Sequence, residues 1–340
     1  MTQGVRQSGR DGAFSRRHAI GAGLAAGVAG LAARVDAQPV TMPRIAYLCG
    51  RAVATDAYLL EAFREGLKAE GFVEGRNVTI DPRWADGNYD RLPALAAELV
   101  KTKPALLAAV GGTAVSVAAK AATSTVPTVF MIGSDPVALG IVDTLARPGG
   151  NRTGMVLLSS SLEGKRIDLL REMLPSAKAV ALMVNPSMPA VADQVRDAEQ
   201  AAAALGLRLA ILKARSDGEI ASAFATLTGA TDGLAVAIDG FFISRREQIL
   251  ALASARRLPA MFPVRDFTAD GGLASYGTRW PEMYRGLGAY AGRILKGAQP
   301  RDLPVQLPTS YELVVNLNAA RSLGIVLPPT FLSRADEVIE

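Results

Sequence analysis

From residue 126 to residue 158 the chain reads VPTVFMIGSDPVALGIVDTLARPGGNRTGMVLL, and the order of parts in this stretch restricts the fold more than any other feature. It opens with a short β-branched and aromatic run, 126–132, of the kind that forms a strand buried on both faces. Gly133, Ser134, Asp135 and Pro136 then stop the run with a hydroxyl, a carboxylate and backbone donors. This is the C-terminal end of a strand, where open parallel sheets hold their ligands. A brief apolar segment, 137–145, is closed by Ala146, Arg147, Pro148, Gly149, Gly150 and Asn151, which no helix continues. Residues 153–158 read as extended again, and beyond them the composition is that of a new unit.

The same alternation runs along the whole chain. Strands are expected at 44–49, 77–80 and 106–110, with helices at 56–71, 92–101 and 113–122 and a polar loop at 84–90. The second half repeats the plan. Ser160 with Glu163 has the form of a capping box opening a helix to Met173, and Ser216 with Glu219 forms another. Strands are expected at 179–184, 208–213, 233–238 and 258–264, with helices at 191–205 and 243–256. Residues 271–276 read as a strand leading back toward the first half, followed by a helix at 281–296 and an alternating strand at 312–316. Strands separated by helices predict parallel sheets covered on both faces. At 340 residues, 49% apolar and 20% charged, the chain has the length and core material for two such α/β lobes, each doubly wound.

The N-terminus stands apart. Arg16 and Arg17 precede a run rich in glycine and alanine, 21–33, and Val35-Asp36-Ala37 offers small residues for cleavage, so residues 1–37 are expected to be a twin-arginine export signal cut near Ala37. The run is too short and too rich in small residues for a membrane span. This segment carries five arginines against two aspartates, so the net charge of +5 falls to +2 without it. No basic block remains to suggest nucleic acid. The single histidine, His18, lies in the same segment, which excludes imidazole bases and histidine metal sites from the remainder. Cys49 ends an apolar strand and reads as a buried core thiol.

Phosphate loops, HExxH and CxxC are absent, and no cofactor or metal is expected. Gly286 and Gly288 form a GxG, but inside a helical pattern, where close helix packing explains it better than a nucleotide. Asp143, Glu163 and Glu172 read as solvated helix faces. The informative groups are polar residues at strand C-termini. Gly112 and Thr113 precede a helix whose N-H groups and dipole favour an anion, although Thr113 also suits a plain N-cap. Ser134 and Asp135 have the same placement, with an Asx turn as the plainer role. Across a cleft, Asn185 and Asp239 end strands of the second half, where Asp239 suits a ligand ammonium and either residue suits a loop cap. Tyr276 suits ring stacking or packing at a hinge.

Asp135-Pro136-Val137, then the run from Leu145 through Ala146, Arg147, Pro148, Gly149 and Gly150 to Asn151, then Thr153-Gly154, resemble the periplasmic solute-binding proteins of ABC importers. The likeness is to the branch related to binders of tryptophan and other aromatic amino acids, and it extends from Arg44 to Glu340. It implies a type I periplasmic-binding fold with a multi-strand hinge: lobe 1 from residues 43–155 plus about 272–300, and lobe 2 from 156–271 plus about 301–340. It also implies an exported, monomeric, non-enzymatic protein. Such a protein closes on an amino acid or related carboxylate and delivers it to membrane permease subunits, with the mature chain not inserted in the membrane. A ligand-binding subunit of a sensory receptor is the alternative, and an enzyme on the same scaffold a more distant one. Where the family commonly has Gly-Thr-Pro this chain has Gly112-Thr113-Ala114, which keeps the N-H donors but alters the loop.

Overall fold

In the computed structural model, residues 42–157, 162–227 and 229–340 are described; the twin-arginine stretch, Leu158 and Ser160 of the first capping box lie outside them. Five strands form the first sheet: β1 (Arg44–Cys49), β2 (Thr79–Trp84), β3 (Leu106–Val110), β4 (Thr128–Ile132) and β5 (Arg152–Val156). Their order is β2-β1-β3-β4-β5 and every pairing is parallel. The apolar runs LLAAV and TVFMI occupy the interior and are buried along their whole length, as strands covered on both faces must be. Helices α1 (Val53–Ala69), α2 (Leu92–Lys101) and α3 (Thr113–Ala122) make the crossovers between these strands.

The second half starts with α4 (Glu163–Met173), β6 (Ala179–Val184), α5 (Val191–Ala204), β7 (Arg208–Lys213), α6 (Asp217–Thr226) and β8 (Gly233–Val236). Half of the capping box at Ser216 is formed: its Oγ accepts from Glu219 N, while Glu219 Oε2 accepts not from Ser216 N but from Arg215 N, one residue earlier, at 2.8 Å. The helix expected at 243–256 is two helices, α7 (Gly240–Ser244) and α8 (Arg246–Ala255), because the Asp239 side chain caps a helix three residues earlier than periodicity alone indicates. Then come β9 (Ala260–Phe262), α9 (Arg265–Ala269), β10 (Ala274–Thr278), α10 (Trp280–Leu295), β11 (Tyr311–Asn316), α11 (Leu317–Leu323), α12 (Pro329–Leu332) and β12 (Glu337–Ile339). The second sheet has the order β12-β11-β10-β9-β8-β6-β7, parallel except for the antiparallel pair β10–β11.

This topology corrects the expected division at residues 272–300. Strand β10, with Tyr276, belongs to the second sheet, where it pairs with β9 and β11. Helix α10 alone crosses to the first half and lies along α1. Nor does everything after residue 300 stay with the second half: Val156 N donates to Gln306 O and Gln306 N to Gly154 O, extending the first sheet beyond β5. Sheet membership is decided by pairings between distant segments, which local periodicity does not encode. The chain thus passes between the sheets three times: after β5, between β10 and α10, and between Gln306 and β11.

Helices α1 and α10 pack at close approach. Gly66 faces Arg285 O and Gly288 faces Phe63 O, so closely that a Cβ at either position would overlap the opposing carbonyl. Phe63, Leu59, Tyr284 and Leu287 are completely buried around this crossing. Each such large side chain contributes roughly 1.5–3 kcal/mol by leaving water. The glycines of the GxG are therefore packing residues at least at Gly288. Glu163, expected on a solvated face, is instead fully buried: it pairs with buried Arg166 at 2.8 Å and accepts from Ile238 N at 3.1 Å. Among the described residues no helix is long and apolar enough to cross a membrane.

Candidate ligand-binding site

The C-terminal ends of β1, β3, β4 and β8 converge on one narrow cavity. Gly111, Gly112, Thr113 and Gly133 line it from the first half, and Ile238, Asp239, Gly240 and Ile243 from the second. Met131, Leu157 and Met188 add apolar surface, and Arg51, Tyr89 and Trp280 complete the wall.

The first-half wall is built for an anion. Gly112 is the N-cap of α3 with φ 135°, a backbone conformation that a side chain resists. The N-H groups of Gly112, Thr113 and Ala114 donate to no group among the described residues, so the start of α3 presents donors together with the positive end of its dipole. Thr113 is not the cap: its Oγ1 lies 2.9 Å from Ser134 Oγ, both side chains being buried. This bond ties the start of α3 to the end of β4.

Arg51 adds a guanidinium that is ion-paired with buried Asp56. It follows β1 by two residues and is 3% exposed. Its Nε donates to Asp56 Oδ2 at 2.6 Å and its Nη2 to Tyr284 OH at 2.7 Å, while the guanidinium lies over the Trp280 ring at 4.1 Å. Nη1 donates to no group among the described residues. The charge is thus oriented by three neighbours and keeps donor capacity for a carboxylate, the geometry that guanidinium groups serve best. Cys49 is buried beneath this cluster, its Sγ 3.7 Å from Asp56 Oδ2, and burial pushes the thiol up. Its expected role as a core thiol agrees with this placement.

The second-half wall centres on Asp239. Its Oδ1 accepts from Asn185 Nδ2 at 3.0 Å and from the N-H groups of Phe241 and Phe242 at 3.0 and 3.3 Å, which makes it the N-cap of α7. Its Oδ2 accepts from Tyr89 OH across the cleft. Burial pushes the Asp239 carboxyl above its ordinary range against the pull of these bonds. The residue is both a cap and part of the cavity wall. Asn185 stands behind it, its Oδ1 accepting from Ser187 N at 2.9 Å. The wall is braced from outside the cavity by Glu163 at Ile238 N, while Arg166 Nε donates to Tyr276 O at 2.9 Å.

Of the residues singled out from sequence, Gly112, Thr113 and Asp239 line the cavity, while Ser134 and Asn185 bond to its wall. Asp135 and Tyr276 are not brought there. Asp135 is exposed and accepts from Val137 N at 2.8 Å, forming the Asx turn. Tyr276 stacks on Tyr311 with ring centroids 6.0 Å apart in the second sheet. Arg51, Tyr89 and Trp280 were missed. Arg51 obeys the same rule that picked out Ser134, a polar group just past a strand's C-terminus. Among the described residues no cluster of histidine, cysteine, aspartate and glutamate could hold a metal ion.

Two sheets of mainly parallel strands, joined by three crossings and meeting at a cavity beyond their strand ends, define a two-lobed protein of the periplasmic-binding type. More specifically, the chain belongs to the ABC transporter substrate binding protein family, whose pattern matches residues 54–339. It is 25% identical over 265 residues to a tyrosine-binding protein of Clostridioides difficile, covering 78% of this chain and 76% of that one. Among solved structures it is similar to a conserved domain protein from Vibrio cholerae O1 biovar El Tor (TM-score 0.81, 27% identity, 88% of this chain and 100% of the other). It is also similar to an ABC domain in complex with L-Trp from Streptococcus pneumoniae (TM-score 0.79, 24% identity, with the same coverage).

Proposed function

We propose that this protein is the exported binding component of an ABC import system and that it holds an aromatic amino acid between its two halves. The observation that carries the reading is the anion-binding wall: an oriented arginine, three helix N-terminal donors and two hydroxyls beside an apolar lining. The ligand's α-carboxylate takes the Arg51 guanidinium and the N-H groups of Gly112 and Thr113, with Ser134 behind. The ammonium faces Asp239, the one carboxylate among the described residues of the cavity wall. The ring lies against Met131, Leu157, Met188 and Ile238. Asn185 keeps Asp239 in place, whereas Asp135 and Tyr276 act outside the cavity. The relatives named for tyrosine and found with L-Trp favour an aromatic ligand.

Arg16 and Arg17 fit export through the twin-arginine route with cleavage near Ala37, and family membership supports transfer of the ligand to permease subunits. A thermal-shift screen of the purified protein against the amino acids and aromatic carboxylates tests the reading. A ligand at about 100 times its Kd adds about 2.7 kcal/mol to the stability of the folded state, so L-Trp or L-Tyr should raise the melting temperature by several degrees. If no amino acid shifts the transition while a sugar or an uncharged solute does, the assignment fails.

A further inference from the structure

The two halves bond to each other outside the cavity as well as at it. Tyr58, on α1 of the first half, donates its hydroxyl to the carboxylate of Asp266, on α9 of the second, lying 3.0 and 2.9 Å from the two oxygens. Tyr89 reaches Asp239 in the same manner, and Gly240 N donates back to Tyr89 OH at 3.2 Å. The seam is close elsewhere: a Cβ at Gly240 would lie 2.8 Å from Gly111 O, and one at Gly87 would lie 2.9 Å from Phe241 Cα. Tyr89 and Asp239 face the cavity, so their bond is entangled with ligand binding. Neither Tyr58 nor Asp266 lines it. The phenol is exposed, and its hydroxyl is aimed at a carboxylate on the other half that burial has pushed above its ordinary range.

We propose that the Tyr58–Asp266 pair is a closure latch, a positioning contact that sets how often the empty protein is closed and thereby scales its affinity for every ligand by one common factor. A hydrogen bond to a charged group made only when the halves meet lowers the free energy of the closed state and leaves the open state unchanged. Apparent affinity is the intrinsic affinity multiplied by the fraction of protein competent to bind, so a contact outside the cavity enters the dissociation constant through that fraction. Ligand chemistry is then read by the cavity, and the strength of closure is tuned independently at α1 and α9. The prediction about affinity rests on the amino-acid reading above; the prediction about the empty protein does not.

The test uses the full chain with spin labels on Glu98→Cys and Glu199→Cys, exposed positions on α2 and α5 in opposite halves. Cys49 is buried and stays unlabelled. Without ligand, Tyr58→Phe should move the distance distribution from the short, closed component toward longer separations. Asp266→Asn should act in the same direction, and the double variant should add little to either single change, as expected for one shared contact. Calorimetry with L-Trp and L-Tyr as probes should show both dissociation constants raised by the same factor, about 3- to 10-fold. Unchanged distances in empty Tyr58→Phe overturn the latch, whatever the ligand results. Factors that differ between the two probes also overturn it, because they would mean that Tyr58 acts on the ligand. If neither probe binds the parent protein, the amino-acid reading fails while the distances still decide the latch.

Discussion

Arg51→Leu weakens binding of the amino-acid ligand by at least about 100-fold and lowers the stability of the empty protein by about 3–5 kcal/mol. The two losses have different origins. Affinity falls because the ligand carboxylate loses its charged partner in a cavity of low polarity. Stability falls because Asp56, 1% exposed and held by Arg51, is left as an uncompensated buried charge. Adding Asp56→Asn separates them: the double variant recovers most of the stability, read by urea denaturation, but none of the affinity, read by calorimetry. A double variant that binds like the parent would remove Arg51 from the site.

Gly288→Ala destabilises the chain by about 3 kcal/mol, whereas Gly286→Ala two residues away costs less than about 1 kcal/mol. At Gly288 the added methyl meets the backbone carbonyl of Phe63, which cannot turn aside, so α1 and α10 must separate. At Gly286 it meets Met155 Cε at 2.8 Å, the far end of a flexible side chain. The alanine also gains up to about 1 kcal/mol of helix propensity in both cases, and this offsets only the smaller clash. Denaturation midpoints of the two variants measure the contrast; equal values would mean that the α1–α10 contact is not held at van der Waals distance. The crossing also ties α10, which follows directly from the second sheet, to α1, which carries Asp56 and Tyr58. A loosened crossing therefore disturbs the cavity and the seam together.

The elements that were legible in the sequence are those whose signal is local. The strands at Arg44–Cys49, Leu106–Val110, Ala179–Val184 and Arg208–Lys213 and the helix at Leu92–Lys101 have the expected bounds, because apolar runs and their polar stops fix both ends. The path of β10 was not legible: its partners β9 and β11 are chosen by packing across the whole second half. Glu163 gave no sign of burial, since a carboxylate in the first turn of a helix looks the same whether it meets water or a buried arginine. In the site, the strand-end rule found Gly112, Thr113 and Asp239 because backbone geometry puts strand ends at the cleft. It also picked out Asp135, where a local Asx turn uses the carboxylate instead. Tyr89 and Trp280 reach the cavity from a one-turn 3-10 helix and from the first residue of α10, so only the tertiary structure reveals them.

The central claim is that a cavity between the halves holds an amino acid by its carboxylate, at Arg51 and the start of α3. Calorimetry of the purified protein with L-tryptophan and with tryptamine, the same molecule without its carboxylate, tests this most directly. The account predicts saturable binding of L-tryptophan and a loss of at least about 100-fold for tryptamine, which has no carboxylate to accept from Arg51 and the start of α3. Tryptamine binding as tightly as L-tryptophan would contradict it.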